Sequence, residues 1–125
     1  MHFTSIRECF AKNSEDDLEF EIGSVDVYMN GFTSGLVKIH GIAPDGRTER
    51  YWVLQFFAIR REARDAVISY SSGKDNFERP GSETLSSRIG IGANGYTLHA
   101  YVTGLPRSKV HWAVVIDADL FKIED

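Results

Sequence analysis

The sequence predicts a mainly β fold: an antiparallel meander of about seven or eight strands, forming a sandwich or a partly open barrel, with a short N-terminal helix. Three observations carry this prediction. Apolar and polar residues alternate with period two along most of the 125-residue chain, the pattern of strands with one buried face. Asn30-Gly31, Asp45-Gly46 and Asn94-Gly95 interrupt the alternation with dipeptides that suit tight hairpins, because both positions tolerate positive φ. No self-similar period of solenoid length runs through the chain, and its length suits one domain over residues 1–125.

In chain order, Ser5 to Lys12 reads as the helix. Ser5 with Glu8 fits a capping box, and Ile6, Cys9 and Phe10 share one helical face that would dock on a sheet. Cys9 is therefore expected to be a buried small hydrophobe. After a polar connector, Leu18, Phe20 and Ile22 alternate with Glu19 and Glu21, and Val25, Val27 and Met29 continue the pattern. Asn30-Gly31 then turns the chain into a returning strand through Leu36, Val37 and Ile39, with Gly35 as a bulge. A hairpin at Asp45-Gly46 places Ile39 opposite Trp52, Val37 opposite Leu54 and His40 opposite Tyr51.

The run from Arg50 to Ile59 is the most apolar and is expected to lie centrally, with both faces partly covered. Arg60 to Asp65 reads as a charged connection and Ala66 to Tyr70 as a strand. Residues 71–82 concentrate turn formers and are expected to be a mobile loop. Asn94-Gly95 as a type I′ turn pairs Ala93 with Tyr96, Ile91 with Leu98, Ile89 with Ala100 and Ser87 with Val102. In a last strand Val110, Trp112, Val114, Ile116 and Ala118 form the buried face.

Gly90, Gly92 and Gly95 match GxGxxG formally, but dinucleotide binding needs a helix after the glycine turn. The following residues alternate, so the hairpin reading prevails. Its outward face carries Arg88, His99 and Tyr101 beside Gly90 and Gly92, a depression either filled by neighbouring rings or open to a small ligand. No histidine pair has metal-ligand spacing and there is one cysteine, so neither a metal nor another cofactor is expected, although His99 and His111 lie on consecutive strands. Asp117 and Asp119 share a face that reads as acidic and solvated, and Ser34 in GFTSG lacks the strand-to-helix setting of a nucleophile elbow.

The formal net charge of −4 disfavours nucleic-acid binding, and no apolar run has membrane-spanning length. With neither a signal-like N-terminus nor paired cysteines, a cytoplasmic protein is expected. The expected function is that of a non-enzymatic protein-binding module, such as an acidic inhibitor or toxin-neutralising immunity protein, whose partner has a basic surface. Glu19, Glu21 and Asp26 on the first strands, with Asp75, Asn76 and Phe77 in the long loop, are the candidate partner contacts. The alternative is a small-ligand or enzymatic β-barrel using Arg88, His99 and Tyr101. Arg60, Arg61 and Arg64 form a small basic cluster too sparse for nucleic acid.

Overall fold

The computed structural model describes residues 2–123, with His2 in its backbone alone. They form nine strands: β1 (His2–Ser14), β2 (Phe20–Asp26), β3 (Gly31–Ile42), β4 (Glu49–Arg60), β5 (Val67–Ser72), β6 (Phe77–Glu78), β7 (Ser86–Ile91), β8 (Thr97–Thr103) and β9 (Val110–Lys122). The larger sheet has the order β1-β9-β3-β4-β5, with β6 also paired to β4, and the smaller has the order β2-β8-β7. Every pairing is antiparallel. Two separate sheets make this a sandwich rather than a barrel.

Alternation builds the core as expected. Val110, Trp112, Val114 and Ile116 of β9, with Val37, Ile39, Trp52, Leu54 and Phe56, face Ile22, Ile89, Leu98, Ala100 and Val102 of the smaller sheet. All are buried. The expected pairs Ile39–Trp52, Val37–Leu54 and His40–Tyr51 form, as do Ser87–Val102, Ile89–Ala100 and Ile91–Leu98. Burial of one face pins these registers, because a one-residue slip would turn every core side chain to solvent.

The turns closing these two hairpins differ from the expected two-residue form and match one another. Gly46 N–H donates to Ala43 O at 3.0 Å and Ala43 N–H to Thr48 O at 2.9 Å; Gly95 N–H donates to Gly92 O at 3.0 Å and Gly92 N–H to Thr97 O at 2.9 Å. Gly46 and Gly95 alone take positive φ, +70° and +83°, whereas a type I′ turn would also require it at Asp45 and Asn94. Ala93 and Tyr96 accordingly fall within the turn, outside the ladder.

The segment expected to be a helix is β1. It pairs with β9 through an unbroken register from His2–Lys122 to Ser14–Val110. A helix of eight residues is marginal by itself, and a full-length backbone ladder outcompetes it. Ser5 Oγ donates to Asp119 Oδ1 at 2.8 Å instead of capping a helix. In strand geometry Ile6 and Phe10 share the inward face, half-buried, and Cys9 turns to the other face, exposed rather than buried. Trp112 Nε1 donates to buried Ser14 Oγ at 3.0 Å, fastening the end of β1.

Two further corrections concern glycine. Asn30-Gly31 closes no hairpin, since β2 and β3 belong to different sheets. Asn30 takes φ +53° and its Oδ1 accepts the Glu62 N–H, which steers the crossover. Gly35 is no bulge: the register of β3 is continuous on both sides, and a Cβ there would overlap the Asp117 carbonyl oxygen of β9. The bulge lies in β2, between Glu21 and Gly23.

Residues 71–82 are tied to the edge of β4 rather than free of it. β5 extends to Ser72, and β6 pairs Phe77 with Tyr51 and Glu78 with Arg50. β4 thus has strands on both sides, but its outward face stays partly open, with Gln55 and Phe57 exposed.

Candidate interaction surface

The smaller sheet brings together five residues from the two separate site expectations. Its register aligns Glu21, Tyr101 and Arg88 in one row across the outer face. Arg88 Nε donates to Glu19 Oε2 at 2.9 Å and Nη2 to Glu19 Oε1 at 2.5 Å. The guanidinium also lies 4.1 Å from the Tyr101 ring centroid, a cation–π contact. Hydrogen bonding from Arg88 lowers the Glu19 pKa, and the same bond raises that of Arg88.

The glycine depression beside them is filled. The His99 ring covers Gly92, where a Cβ would come within 2.5 Å of Nε2, and Arg88 Nη1 lies 3.3 Å from the Cβ position of Gly90. His99 Nδ1 is 3.1 Å from Glu21 Oε1 but outside hydrogen-bond geometry, leaving that buried nitrogen without a bond. On this face Glu19 is thus turned to the protein's own Arg88, while Glu21 stands beside His99 without a hydrogen bond to it.

Asp26 accepts from Thr97 Oγ1 at 2.8 Å, and Thr97 Oγ1 in turn accepts from Asn94 Nδ2 at 2.7 Å, so it braces the hairpin turn. Asn76 Oδ1 accepts the Val53 N–H at 2.9 Å and its Nδ2 donates to Ser72 Oγ at 2.7 Å. Asp75 is exposed on the same turn. Phe77 is 47% exposed on the outer face of the larger sheet, with the Arg79 guanidinium 5.8 Å from its ring.

His99 and His111 do not meet, because β8 and β9 lie in different sheets. Among the described residues no group of three or more His, Cys, Asp and Glu side chains could hold a metal. Arg60 bonds to the Arg64 carbonyl at 3.0 Å and lies 5.2 Å from the Tyr96 ring, so part of the basic cluster is internally engaged. Among the described residues no helix is long and apolar enough to cross a membrane.

The outer face of the larger sheet carries an aromatic ladder. One row across it runs Phe3, Phe121, Phe32, Ile59 and Val67 on β1, β9, β3, β4 and β5. Phe3 and Phe121 have ring centroids 4.9 Å apart, Phe121 and Phe32 4.4 Å, and Phe32 and Phe57 in the next row 5.6 Å. Phe3 is 57% exposed, Phe57 44% and Val67 68%. Beside the ladder lies a shallow groove of about 480 Å³, lined among others by Ser5, Arg7, Leu36, Asp117 and Asp119. Arg7 and Lys38 approach Asp117 at 3.8 and 3.5 Å, whereas Asp119 is bonded to the neutral Ser5 hydroxyl.

Sequence reasoning missed this ladder although a signal was present. The inward residues are even-numbered in β1, β4 and β9 and odd-numbered in β3. Phe3, Phe57 and Phe121 are odd and Phe32 is even. All four are large apolar residues out of phase with the core of their own strands, which marks a second apolar face.

No family model matches the chain, and no curated protein matches it. Two solved structures do. One is a tailspike protein, gp49, of Acinetobacter baumannii bacteriophage Fri1, a capsular polysaccharide depolymerase, with 14% identity and a TM-score of 0.49 over 96% of this chain. The other is the tailspike protein of Acinetobacter baumannii phage AM24, with 8% identity and a TM-score of 0.46 over 98% of this chain. The chain spans 17% and 26% of their respective lengths.

Proposed function

We propose that this chain is a non-enzymatic protein-binding module that docks its partner on the outer face of the larger sheet. The carrying observation is the ladder of Phe3, Phe121, Phe32 and Phe57, a contiguous apolar strip with its exposed members at 57% and 44%. Solvated sheet faces ordinarily carry polar residues, and clustered exposed aromatic side chains are characteristic of association surfaces.

Ring geometry favours a protein over a sugar. Phe32 and Phe121 stack on one another with 18° between their planes, so they spend their faces on each other. A sugar needs open ring faces, whereas an aliphatic or aromatic protein side chain packs against edges as well. Asp119, whose hydrogen-bond partner among the described residues is the neutral Ser5 hydroxyl, supports a partner carrying a basic residue next to its apolar contact. An inhibitor or immunity protein acting on a basic partner is one form of this reading, and the chain's formal net charge of −4 agrees with it. The filled depression at Gly92 weighs against the alternative of a small-ligand site at His99 and Tyr101.

Co-purification from the native host with mass spectrometry identifies the partner, and titration of purified components then tests the face. Phe57→Asp should weaken binding by more than about tenfold with the fold intact, since a charge is placed in an apolar contact. Glu19→Lys with Glu21→Lys should leave affinity nearly unchanged. The reverse pattern overturns the proposal.

A further inference from the structure

The outer edge of β1 is open. β1 ends the larger sheet and pairs with β9 alone, through a register unbroken from His2 to Ser14. Among the described residues no other backbone group bonds to it. Alternate N–H and C=O groups along 13 residues therefore point away from the sheet.

The other edges are blunted in the usual ways. β5 has 6 residues, β6 has 2 and β7 has 6, and β2 is broken by its bulge. β1 has neither proline nor bulge, carries inward charges at Glu8 and Lys12, and is as long as any other strand among the described residues. It is also where the aromatic ladder stops, at Phe3, whose ring has Phe121 on one side and solvent on the other.

We infer that this edge accepts a further β-strand donated by a different protein, whose side chains continue the ladder beyond Phe3 and complement Ile6, Arg7, Glu8 and Phe10. The inference rests on the protein-binding reading and specifies how the partner is held. An antiparallel strand is favoured because its hydrogen bonds are the straighter. Opposite the outward residues Phe3 and Arg7 it carries an aromatic group and a carboxylate. On the inward side it carries an ammonium opposite Glu8 and apolar residues opposite Ile6 and Phe10, which are half-buried at the margin of the sandwich.

A second copy of this chain fits poorly. Two β1 strands related by a two-fold axis keep their faces in phase only in registers centred on one residue. Centring on Arg7 sets Arg7 against Arg7, and centring on Glu8 sets Glu8 against Glu8. Centring on Cys9 places Glu8 against Phe10, and centring on Phe10 pairs Glu8 with Lys12 but leaves Phe3 beyond the end of the partner's β1, so the ladder is not continued. Like charges directly opposite are destabilising, and a charge against an aromatic ring forgoes the apolar pair.

The probe is the blocked octapeptide Val-Thr-Lys-Glu-Val-Thr-Thr-Phe, which meets residues 10 to 3 in that order. Titrated into the intact protein and followed by amide hydrogen exchange, it should slow exchange at alternate residues of β1. Arg7→Glu should weaken binding about fivefold, and a peptide with Lys in place of its Glu should recover that loss. Absence of β1 protection at about 1 mM peptide, with the protein folded, overturns the inference. So does a dimer of the free protein by sedimentation that already protects the β1 edge. Phe57→Asp should leave peptide binding unchanged, because Phe57 is remote from the edge. Loss of β1 protection with partner docking still sensitive to Phe57 thus defeats this inference alone.

Discussion

Arg88 grips Glu19 with two hydrogen bonds, of 2.9 and 2.5 Å, one to each carboxylate oxygen, joining β7 to the segment that leads into β2. The fork geometry of a guanidinium matches both carboxylate oxygens, so the pair fixes orientation as well as charge. Its consequence is that the most favourably placed acid for a basic partner is already occupied. Asp26 beneath Thr97 is likewise engaged within the protein, and Glu21 lies against the His99 ring without a hydrogen bond, so the larger sheet is the face with more unspent contacts.

Acid should weaken the protein through Glu19 and Glu49. Each has its pKa lowered below 4.5, Glu19 by hydrogen bonding from Arg88, and Glu49 by hydrogen bonding first from His40 and then from Arg79. A carboxylate depressed in the folded state contributes stability that is complete above 4.5 and lost as pH falls through the folded pKa. The Glu19 and Arg88 side chains are 40% and 49% exposed, so solvent screening holds their share below about 1 kcal/mol. Glu49 is only 17% exposed and has two partners. Urea unfolding between pH 7 and 3 should therefore show a flatter acid limb for Glu49→Gln than for Glu19→Gln, both flatter than the parent.

Legibility followed locality. Hairpin registers were readable because turn residues and alternation specify them within about twenty residues of chain, as at Ile39–Trp52 and Ile89–Ala100. β1 was not, because its partner β9 lies at the far end of the chain, and Ile6, Cys9 and Phe10 satisfy a helical period equally well. Sheet membership was also hidden: nothing local distinguishes Asn30-Gly31 at a crossover from Asn94-Gly95 at a hairpin. The meeting of Glu19 with Arg88 and of Glu21 with His99 depends on that membership, so the residues were visible singly and their proximity was not.

Gly35 should tolerate no side chain, although no turn requires it. A Cβ would overlap the Asp117 carbonyl oxygen and lie 2.8 Å from the Ala118 Cα, and neither backbone atom can yield without breaking the β3–β9 ladder. Gly35→Ala should cost about 3 kcal/mol or more in chemical denaturation. Gly46→Ala is the contrast: nothing lies within 4 Å of its Cβ, and only φ of +70° opposes it. That cost should be about 1 kcal/mol.

The two hairpin turns share a backbone but not a side-chain brace. Asn94 Oδ1 accepts from Tyr96 N and Thr97 N, both at 3.0 Å, and its Nδ2 donates to Thr97 Oγ1. Asp45 Oδ1 accepts from Arg47 N alone, at 2.8 Å. Asn94→Ala should cost about 1–2 kcal/mol and Asp45→Ala about half as much, as read from urea midpoints. Equal costs would mean that the shared backbone, and not the asparagine amide, holds the turn.

Asn76 should govern whether residues 73–76 stay on the sheet. The segment crosses the edge of β4, where Gly73 N–H donates to Val53 O at 2.7 Å and Asn76 Oδ1 accepts the Val53 N–H at 2.9 Å, so both polar groups of Val53 are satisfied from it. Val53 is buried, and an N–H left without an acceptor there costs about 1–3 kcal/mol. Asn76→Ala should therefore accelerate amide exchange at Val53 by at least about tenfold and loosen the neighbouring turn. Asn76→Asp retains the acceptor oxygen for Val53, and the Ser72 hydroxyl can turn to donate to the second carboxylate oxygen, so it should restore both protection at Val53 and order around Ser72. Unchanged Val53 exchange in Asn76→Ala would show that the Gly73 bond and β6 hold the edge without the amide.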